Sequence, residues 1–404
     1  MTNFVTELRS AMRNDPGATA IDCEDPMTFS QLWTATDSFA GGLGEREITA
    51  GDRVAIHVAD PRSVLVAAYG ALRAGCVPVT LPVTYGNRDV RHVLSDTEAT
   101  ALVTDSSPIM PLLTGSESLR VAVTVDSDTR MGVSFADFLD NGGMNGSNSR
   151  TGIDVVRRAD EDPALIAYVD RDERPPVAAV YTHASLHAAA SARPDAPGDG
   201  SDPLESHRST VPLSDPIEFM YGANATLTDG GRYRPITTAD PTTLRSLLVT
   251  TEADRTFITP DQYRDLRANG GIDDRGLRVV ESTRATFGAE HGDAGDPGDA
   301  VRLCGLPETG LTHVRTPADV ASGSIGDPLS GVRVRVVDEG AGDELAVTSA
   351  AVADDSPDLS SPTDERAVTI DGTRWVRTGV PARSEDGVIR RRTEAEPVRS
   401  AADR

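Results

Sequence analysis

A charged segment between Tyr168 and Thr182–His183 is the first place in the sequence where chemistry could be expected. It reads Val169, Asp170, Arg171, Asp172, Glu173, Arg174, Pro175, Pro176, Val177 and Ala178. Arg171 and Arg174 could attract an anion, but three neighbouring carboxylates oppose that attraction. The segment has no glycine or hydroxyl side chain that would bring hydrogen-bond donors to an anion. We therefore expect a solvated, charged loop at this place.

Candidate metal ligands are few and scattered. His183 and His187 stand four residues apart, a spacing that can place two imidazoles on one helix face for zinc. Because no third ligand stands at a suitable distance, we expect a structural role for His183. Glu308 alone is better explained as a structural acceptor than as a working metal ligand. The cysteines lack paired metal spacing and are expected to be small buried residues: Cys23, Cys76 and Cys304.

The elements that must position these side chains are clearest in residues 1–105. Three short strands are predicted at residues 54–58, 77–81 and 101–104. Between them, Asp60–Pro61 begins a helix that Gly75 ends, and Asn87 is expected to cap a second helix. Strand–helix–strand–helix–strand order is typical of a parallel α/β sheet.

The last hundred residues predict strands instead. Residues 332–337 and 345–348 have strand patterns, and two further runs flank Asp371–Gly372, a hairpin signal. The predicted fold class is α/β, with layered subdomains, mainly parallel sheets and a C-terminal β-rich subdomain. We expect the α/β body at residues 1–320, the β-rich subdomain at 321–395 and a tail at 396–404. Gly-, Asp- and Ser-rich stretches predict surface loops near residues 140–162, 193–209 and 288–300.

The charge of the chain restricts its environment and its partners. The 404 residues carry 39 basic and 63 acidic side chains, a net charge of −24, and all the basic residues are arginine. A dense carboxylate surface keeps a protein hydrated in high salt, where screening weakens self-repulsion. The composition indicates the cytoplasm of an extreme halophile. Without a basic patch, an export signal or a long apolar run, we expect no nucleic-acid partner and no membrane association.

Several segments stand in a recognisable order. Residues 51–56 (GDRVAI) precede residues 71–79 (ALRAGCVPV), residues 323–332 (GSIGDPLSGV) follow much later, and Thr378–Gly379 comes last. In this order they resemble the large N-terminal domain of adenylate-forming enzymes, the superfamily of acyl-CoA synthetases. The resemblance covers nearly all of residues 20–395 and implies that family's layered fold. It also implies remnants of a nucleotide site at Thr182, Gly305, Glu308 and Thr378.

The positions that match the family's ATP-binding motifs are strongly altered. The family's phosphate loop is rich in Ser, Thr and Gly and ends in Pro-Lys-Gly; here Val177 takes the lysine position. Thr283 and Arg284 replace two glycines of the adenine-binding segment. In the stretch that resembles Tyr-Gly-x-Thr-Glu, Cys304 and Pro307 replace the aromatic residue and the threonine. Val380 replaces the family's ribose-binding aspartate, and Ser214–Asp215 replaces the aromatic–histidine pair of the acyl pocket.

The leading hypothesis is a family member that has kept the fold for binding or protein interaction and has lost adenylation. It predicts no catalytic residues, no cofactor and an unknown protein partner. Since the sequence ends at Arg404, we also expect the family's smaller C-terminal domain, with its catalytic lysine, to be absent.

Two alternatives remain open. One is a divergent acyl-CoA synthetase that uses ATP and magnesium, possibly completed by a separate partner chain. Arg171 or Arg174 would then replace the lysine, and Glu308 would hold the metal. The other is a small-molecule or acyl binder that uses the former acyl pocket.

Overall fold

The computed structural model describes residues 3–105, 116–125, 132–140, 154–171, 174–192, 203–238, 240–250, 253–270, 273–274, 276–289, 298–338, 343–354, 359, 366–385 and 387–392. Asp172 and Glu173 of the charged segment lie outside these residues, as do the side chains of Asp170, Arg171 and Arg174. Most of the predicted loop at 288–300, parts of those at 140–162 and 193–209, and the predicted tail also lie outside them.

Helices and strands alternate along most of the described chain. The helices are α1 (Val5–Asn14), α2 (Phe29–Gly44), α3 (Pro61–Arg73), α4 (Asn87–Asp96), α5 (Phe135–Asp140), α6 (His183–Ser191), a π-helix (Glu218–Asn224), α7 (Ala225–Thr228), α8 (Pro241–Thr250), α9 (Pro260–Ala268) and α10 (Pro317–Ser322). The strands are β1 (Thr19–Ile21), β2 (Met27–Thr28), β3 (Arg53–His57), β4 (Val77–Thr80), β5 (Ala101–Thr104), β6 (Val121–Thr124), β7 (Val133–Ser134), β8 (Pro163–Arg171), β9 (Arg174–Thr182), β10 (Ser206–Ser209), β11 (Arg232–Pro235), β12 (Arg255–Ile258), β13 (Leu277–Glu281), β14 (Val301–Leu306), β15 (Gly310–Arg315), β16 (Asp327–Pro328), β17 (Arg333–Asp338), β18 (Asp343–Thr348), β19 (Ala367–Ile370), β20 (Thr373–Glu385) and β21 (Val388–Arg391).

The first sheet contains the three strands predicted near the N-terminus. Its order is β7-β6-β5-β3-β4-β8-β9, and every pair except β8–β9 is parallel. Asp60 caps α3 by accepting a hydrogen bond from the Ser63 amide at 2.9 Å. Gly75 follows that helix with φ of 76°, a backbone conformation that favours glycine. The parallel α/β arrangement predicted for this region is confirmed.

One detail of that prediction is wrong. Asn87 does not cap α4, because it is the first helical residue and Gly86 occupies the cap position without a side-chain hydrogen bond. A capping side chain has to extend from the non-helical residue that precedes the helix. The pattern around Asn87 therefore located the helix correctly and its first residue wrongly.

The second sheet has the order β16-β15-β14-β13-β12-β10-β11-β1-β2 within the described residues. Its central strands, from β11 through β10, β12 and β13 to β14, are parallel. The predicted loop at 193–209 is wrong at β10, an inner strand of this sheet. His207 and Arg208 in that strand are buried although they are polar, so the strand had no apolar pattern to reveal it.

The C-terminal region forms a third, antiparallel sheet. Its order is β17-β18-β20-β19, and β21 pairs with β20. Asp371 and Gly372 connect β19 to β20 with φ of 53° and 75°. Such positive values suit a tight hairpin turn. The β-rich C-terminal region is confirmed, whereas the exact boundary at residue 321 stays a prediction.

The two large sheets share one apolar core. Ile56 and Leu165 from the first sheet belong to the same buried cluster as Phe257 and Leu303 from the second. Tyr69 of α3 is buried in this core and donates a hydrogen bond to the Asn224 side chain at 2.7 Å. Among the described residues, no helix is long and apolar enough to cross a membrane.

Candidate functional site

The candidate site is a cavity of about 750 Å³ at the strand ends of both large sheets. Tyr168 and Val169 of β8 line one side. The residues after β13 and after β14 line the other, and Arg366 from the C-terminal region also contributes. Because parallel strands end at a common edge, the turns that follow them meet there.

The charged segment is not the loop that the sequence predicted. β8 and β9 pair in an antiparallel hairpin, with Tyr168 opposite Ala178 and Val169 opposite Val177. Further along the same hairpin, Arg171 lies opposite Arg174. Val169 and Val177 are β-branched and favour strands, whereas the acidic residues and prolines between them do not, so the pairing was not evident from the composition. The described backbone of this segment, residues 169–171 and 174–178, is therefore committed to strand pairing, and Pro175 and Pro176 have no amide hydrogen to donate.

Glu308 lines the cavity from the turn between β14 and β15 and is 1% exposed. One of its oxygens, Oε1, forms an ion pair with the Nη2 atom of Arg284. The Nε atom of Arg284 donates a second bond to the Thr378 carbonyl oxygen at 2.9 Å. The other Glu308 oxygen, Oε2, is buried without a hydrogen-bond partner in the described part of the chain. Arg284 thus connects Glu308 to the C-terminal sheet.

The turn that carries Arg284 is held from both sides. Phe287 donates its backbone N–H to the Thr283 carbonyl at 2.8 Å, which closes a helical turn around Arg284. Glu281, at the end of β13, lies between Arg302 and Arg315 at 3.3 and 3.1 Å, and all three side chains are buried. A buried carboxylate with two guanidinium partners restricts the strand end from which the turn starts.

The other residues that the resemblance singled out have packing roles. Thr182 caps α6 by accepting a hydrogen bond from the Ser185 amide at 3.1 Å. A Cβ atom at Gly305 would stand 2.3 Å from the Gly310 carbonyl oxygen, so the neighbouring strand requires glycine there. The Thr378 hydroxyl donates to the Leu345 carbonyl at 2.8 Å. Any nucleotide-binding role for these residues stays a prediction.

Two carboxyl groups lie on the chain beside the cavity, Asp215 half-buried and Glu218 fully buried. Ser214 and Asp215 line it, and burial raises the pKa of Asp215 to about 6. Glu218 begins the π-helix, and burial raises its pKa to about 8. Glu218 accepts a hydrogen bond from the Ser209 hydroxyl at 2.7 Å and lies 3.4 Å from His207. Desolvation therefore favours the neutral carboxylic acid at this position.

This carboxyl group should make stability depend on pH. Between its usual pKa of 4.5 and its folded value of about 8, Glu218 holds a proton that the unfolded chain releases, so stability falls as pH rises. Glu218→Gln mimics the protonated form, and we expect it to remove a loss on the order of a few kcal/mol between pH 5 and 9. Chemical unfolding across that range measures it, with exposed Glu98→Gln as the control. An unchanged pH slope in Glu218→Gln would contradict the assignment.

The histidine pair shows no metal-site geometry. His183 accepts a hydrogen bond from the Phe4 amide at 3.1 Å, and burial, assisted by Arg158, lowers its pKa to about 4. His187 lies 3.9 Å from Glu7. Within the ranges that the structure describes, no group of three or more His, Cys, Asp or Glu residues could hold a metal ion.

Sequence reasoning named Arg284, Glu308 and Thr378 but missed the contacts between them. Arg284 replaces a glycine in the sequence, and its partner Glu308 lies 24 residues away and Thr378 lies 94 residues away. Glu218 carried no motif at all. The one usable signal was the appearance of an arginine in a segment near a retained carboxylate, since opposite charges in a cavity tend to pair.

Comparison with known proteins decides the family. The model of the family described as AMP-binding enzyme matches residues 8–350 of this chain. The chain belongs to the AMP-binding enzyme family. Its fold is similar to a benzoate CoA ligase from Burkholderia xenovorans, with 18% identity, a TM-score of 0.75, and coverage of 97% of this chain and 80% of that one. It is also similar to the N-terminal domain of FACL13 from Mycobacterium tuberculosis, with 18% identity, a TM-score of 0.77, and coverage of 97% and 100%.

Similarity to curated sequences of the AMP-binding family is more limited. A 3-hydroxybenzoate–CoA/4-hydroxybenzoate–CoA ligase of Thauera aromatica is 29% identical over 175 residues, which are 42% of this chain and 32% of the relative. A long-chain-fatty-acid–CoA ligase of Yersinia pestis is 34% identical over 98 residues, 23% of this chain and 17% of the relative. The matched stretches thus span about a third or less of these relatives.

Proposed function

We propose that this AMP-binding family member does not adenylate carboxylic acids and acts as a binding or interaction module. The observation that carries the proposal is the ion pair between Arg284 and Glu308 inside the cavity. Glu308 is the residue that matches the family's magnesium ligand. Its carboxylate already has a cation, supplied by the side chain that replaces a glycine.

The chemistry of the two cations supports this reading. A guanidinium group stays protonated at any physiological pH, so Arg284 cannot yield its place by losing a proton. Magnesium would need oxygen ligands in octahedral geometry and would have to displace the arginine from a nearly buried carboxylate. Breaking such a pair is costly, although the partial exposure of Arg284 reduces that cost.

The β8–β9 hairpin supports the proposal independently. A triphosphate is usually held by free backbone amides, hydroxyls and a lysine or arginine at a flexible glycine-rich turn. The paired strands instead contain Val169, Val177 and Ala178 at this place, together with two prolines that lack amide hydrogens. Among the described residues, the groups that line the cavity therefore do not fit magnesium and a nucleoside triphosphate.

A titration with magnesium and ATP in molar potassium chloride tests the proposal. We expect no saturable, magnesium-dependent binding by the native chain at concentrations up to about 1 mM. Arg284→Ala should release Glu308 and allow weak magnesium-dependent binding, which the double variant Arg284→Ala/Glu308→Gln should lose again. Arg264→Ala, which removes an exposed arginine of α9, is the matched control. Micromolar magnesium-dependent binding by the native chain, lost in Glu308→Ala, would contradict the proposal.

A divergent acid–thiol ligase of the acyl-CoA synthetase type is the second candidate. The observation in its favour is the cavity of about 750 Å³, which is large enough for a ligand and is lined by Glu308. This function would need ATP and magnesium, a new phosphate contact from Arg171 or Arg174, and possibly a separate partner chain. Pyrophosphate exchange distinguishes the two candidates.

A further inference from the structure

A second cavity, of about 330 Å³, lies beside the first and shares Pro212 and Ser214 with it. It is enclosed between the ends of β3 and β4 in the first sheet and the ends of β10 and β11 in the second. Its walls are mainly apolar and include Ile56, Val58, Leu81, Val211, Leu213 and Ile236. Val83 lines the cavity and is 47% exposed, which places it at the opening.

The unpartnered Thr80 hydroxyl is the feature that suggests a ligand in this cavity. Thr80 pairs with Ile56 across β4 and β3, so the two side chains leave the same face of the sheet, and both line this cavity. Thr80 is 1% exposed, and its hydroxyl oxygen has no hydrogen-bond partner among the residues that the structure describes. A buried hydroxyl without a partner is costly unless something inside the cavity satisfies it.

A second polar group is oriented at the opposite wall. The Gln262 carbonyl oxygen accepts hydrogen bonds from the hydroxyls of Thr210, at 2.5 Å, and Thr259, at 3.0 Å. These bonds fix the amide and leave its NH₂ group as the donor that Gln262 can offer to a ligand. Gln262 of α9 and Thr80 of the first sheet therefore line the same apolar space.

The charge of the cavity limits what can occupy it. None of the described side chains that line it is charged. An ionised carboxylate or phosphate inside would lose its hydration without gaining a counter-ion, which is strongly unfavourable. A neutral molecule with an apolar body and one hydroxyl or carbonyl group would meet both requirements. The volume corresponds to about ten molecules of liquid water, and so to a ligand of roughly ten to fifteen non-hydrogen atoms.

We propose that this second cavity binds a small neutral alcohol, phenol or amide with an apolar body, held by hydrogen bonds to Thr80 and Gln262. This ligand class specifies the binding role proposed above and rests on that proposal. It concerns a different cavity from the one that contains the Arg284–Glu308 pair. Because none of its described lining residues supplies a counter-charge, this cavity should prefer a neutral ligand to a carboxylate.

Calorimetric titration with two matched probes tests the inference in molar potassium chloride, without nucleotide. The neutral probe is 3-phenylpropan-1-ol and the charged probe is 3-phenylpropanoate at pH 7.5. We expect one molecule of the alcohol to bind with a dissociation constant of about 0.1 to 1 mM, and the carboxylate to bind at least about tenfold more weakly. Equal or tighter binding of the carboxylate, or no saturable binding of the alcohol, would overturn the inference.

Three variants locate the binding site. Val83→Trp should obstruct the opening and abolish binding of the alcohol, whereas Val249→Trp, at a 70% exposed position of α8, should leave it unchanged. Thr80→Val keeps the shape and removes the hydroxyl, and we expect about fivefold weaker binding. Unaltered binding by Val83→Trp would place the ligand elsewhere and reject this cavity. Since nucleotide is absent here, failure of this test is distinct from failure of the non-adenylating proposal, which pyrophosphate exchange measures.

Discussion

Carboxylate-dependent pyrophosphate exchange by the purified chain is expected to be at least about ten-thousandfold slower than in an active adenylating enzyme. Adenylation requires positioned phosphates, compensated charge and an aligned carboxylate. Loss of one good donor from a preorganised anion site costs on the order of 3 kcal/mol in the transition state. The hairpin of β8 and β9 and the pairing of Glu308 with Arg284 remove at least two such contributions. Such losses need not add, yet two of them suffice for this factor.

The assay requires molar potassium chloride, a broad panel of carboxylic acids, and measurements with and without candidate partner chains. Glu308→Ala is the decisive control, because a working metal site would depend on that carboxylate. Exchange by the isolated native chain that disappears in Glu308→Ala would contradict the non-adenylating proposal. Exchange that appears only with a partner chain would favour the split ligase. Arg264→Ala reports whether loss of an unrelated arginine has any effect.

Dialysis from molar potassium chloride into dilute buffer is expected to unfold the protein, and restoring the salt should refold it. We propose a high-salt environment because the net charge is −24 and every basic residue is arginine. At low ionic strength the carboxylates repel one another over a long screening length, about 30 Å at 0.01 M against about 3 Å at 1 M. Circular dichroism against salt concentration measures the transition. Cooperative, complete folding in dilute buffer at neutral pH would contradict the proposal.

A set of charge variants tests the cause of that transition. Removal of four exposed carboxylates changes the net charge from −24 to −20 and should lower the salt concentration at the unfolding midpoint. The substitutions are Glu24→Gln, Glu45→Gln, Glu98→Gln and Asp265→Asn. The matched control keeps the charge at the same places with Glu24→Asp, Glu45→Asp, Glu98→Asp and Asp265→Glu. Equal midpoints in both sets would show that surface repulsion is not the cause.

The fold was predictable where local pattern and topology agree. The apolar period of the strand–helix–strand segment in residues 54–104 and the Asp371–Gly372 turn signal both located elements that the structure contains. Prediction failed at β10, where buried His207 and Arg208 look like surface residues in the sequence. It also failed at the charged segment, whose composition indicated a loop although its described residues belong to two paired strands. At β10, pairing with β11 and β12 outweighed local composition, and at the charged segment pairing within one hairpin did so.

The sequence by itself determined which chemical groups could take part in the candidate site. It established that glycines, hydroxyls and lysine are missing from the charged segment, that Arg284 replaces a glycine and that Glu308 is retained. Only the tertiary structure decided that Arg284 contacts Glu308 and that an uncharged cavity containing Thr80 lies beside them. Side-chain identity is local information, whereas a contact between residues far apart depends on how the sheets pack. Burial then decides whether the resulting group is charged, paired or available to a ligand.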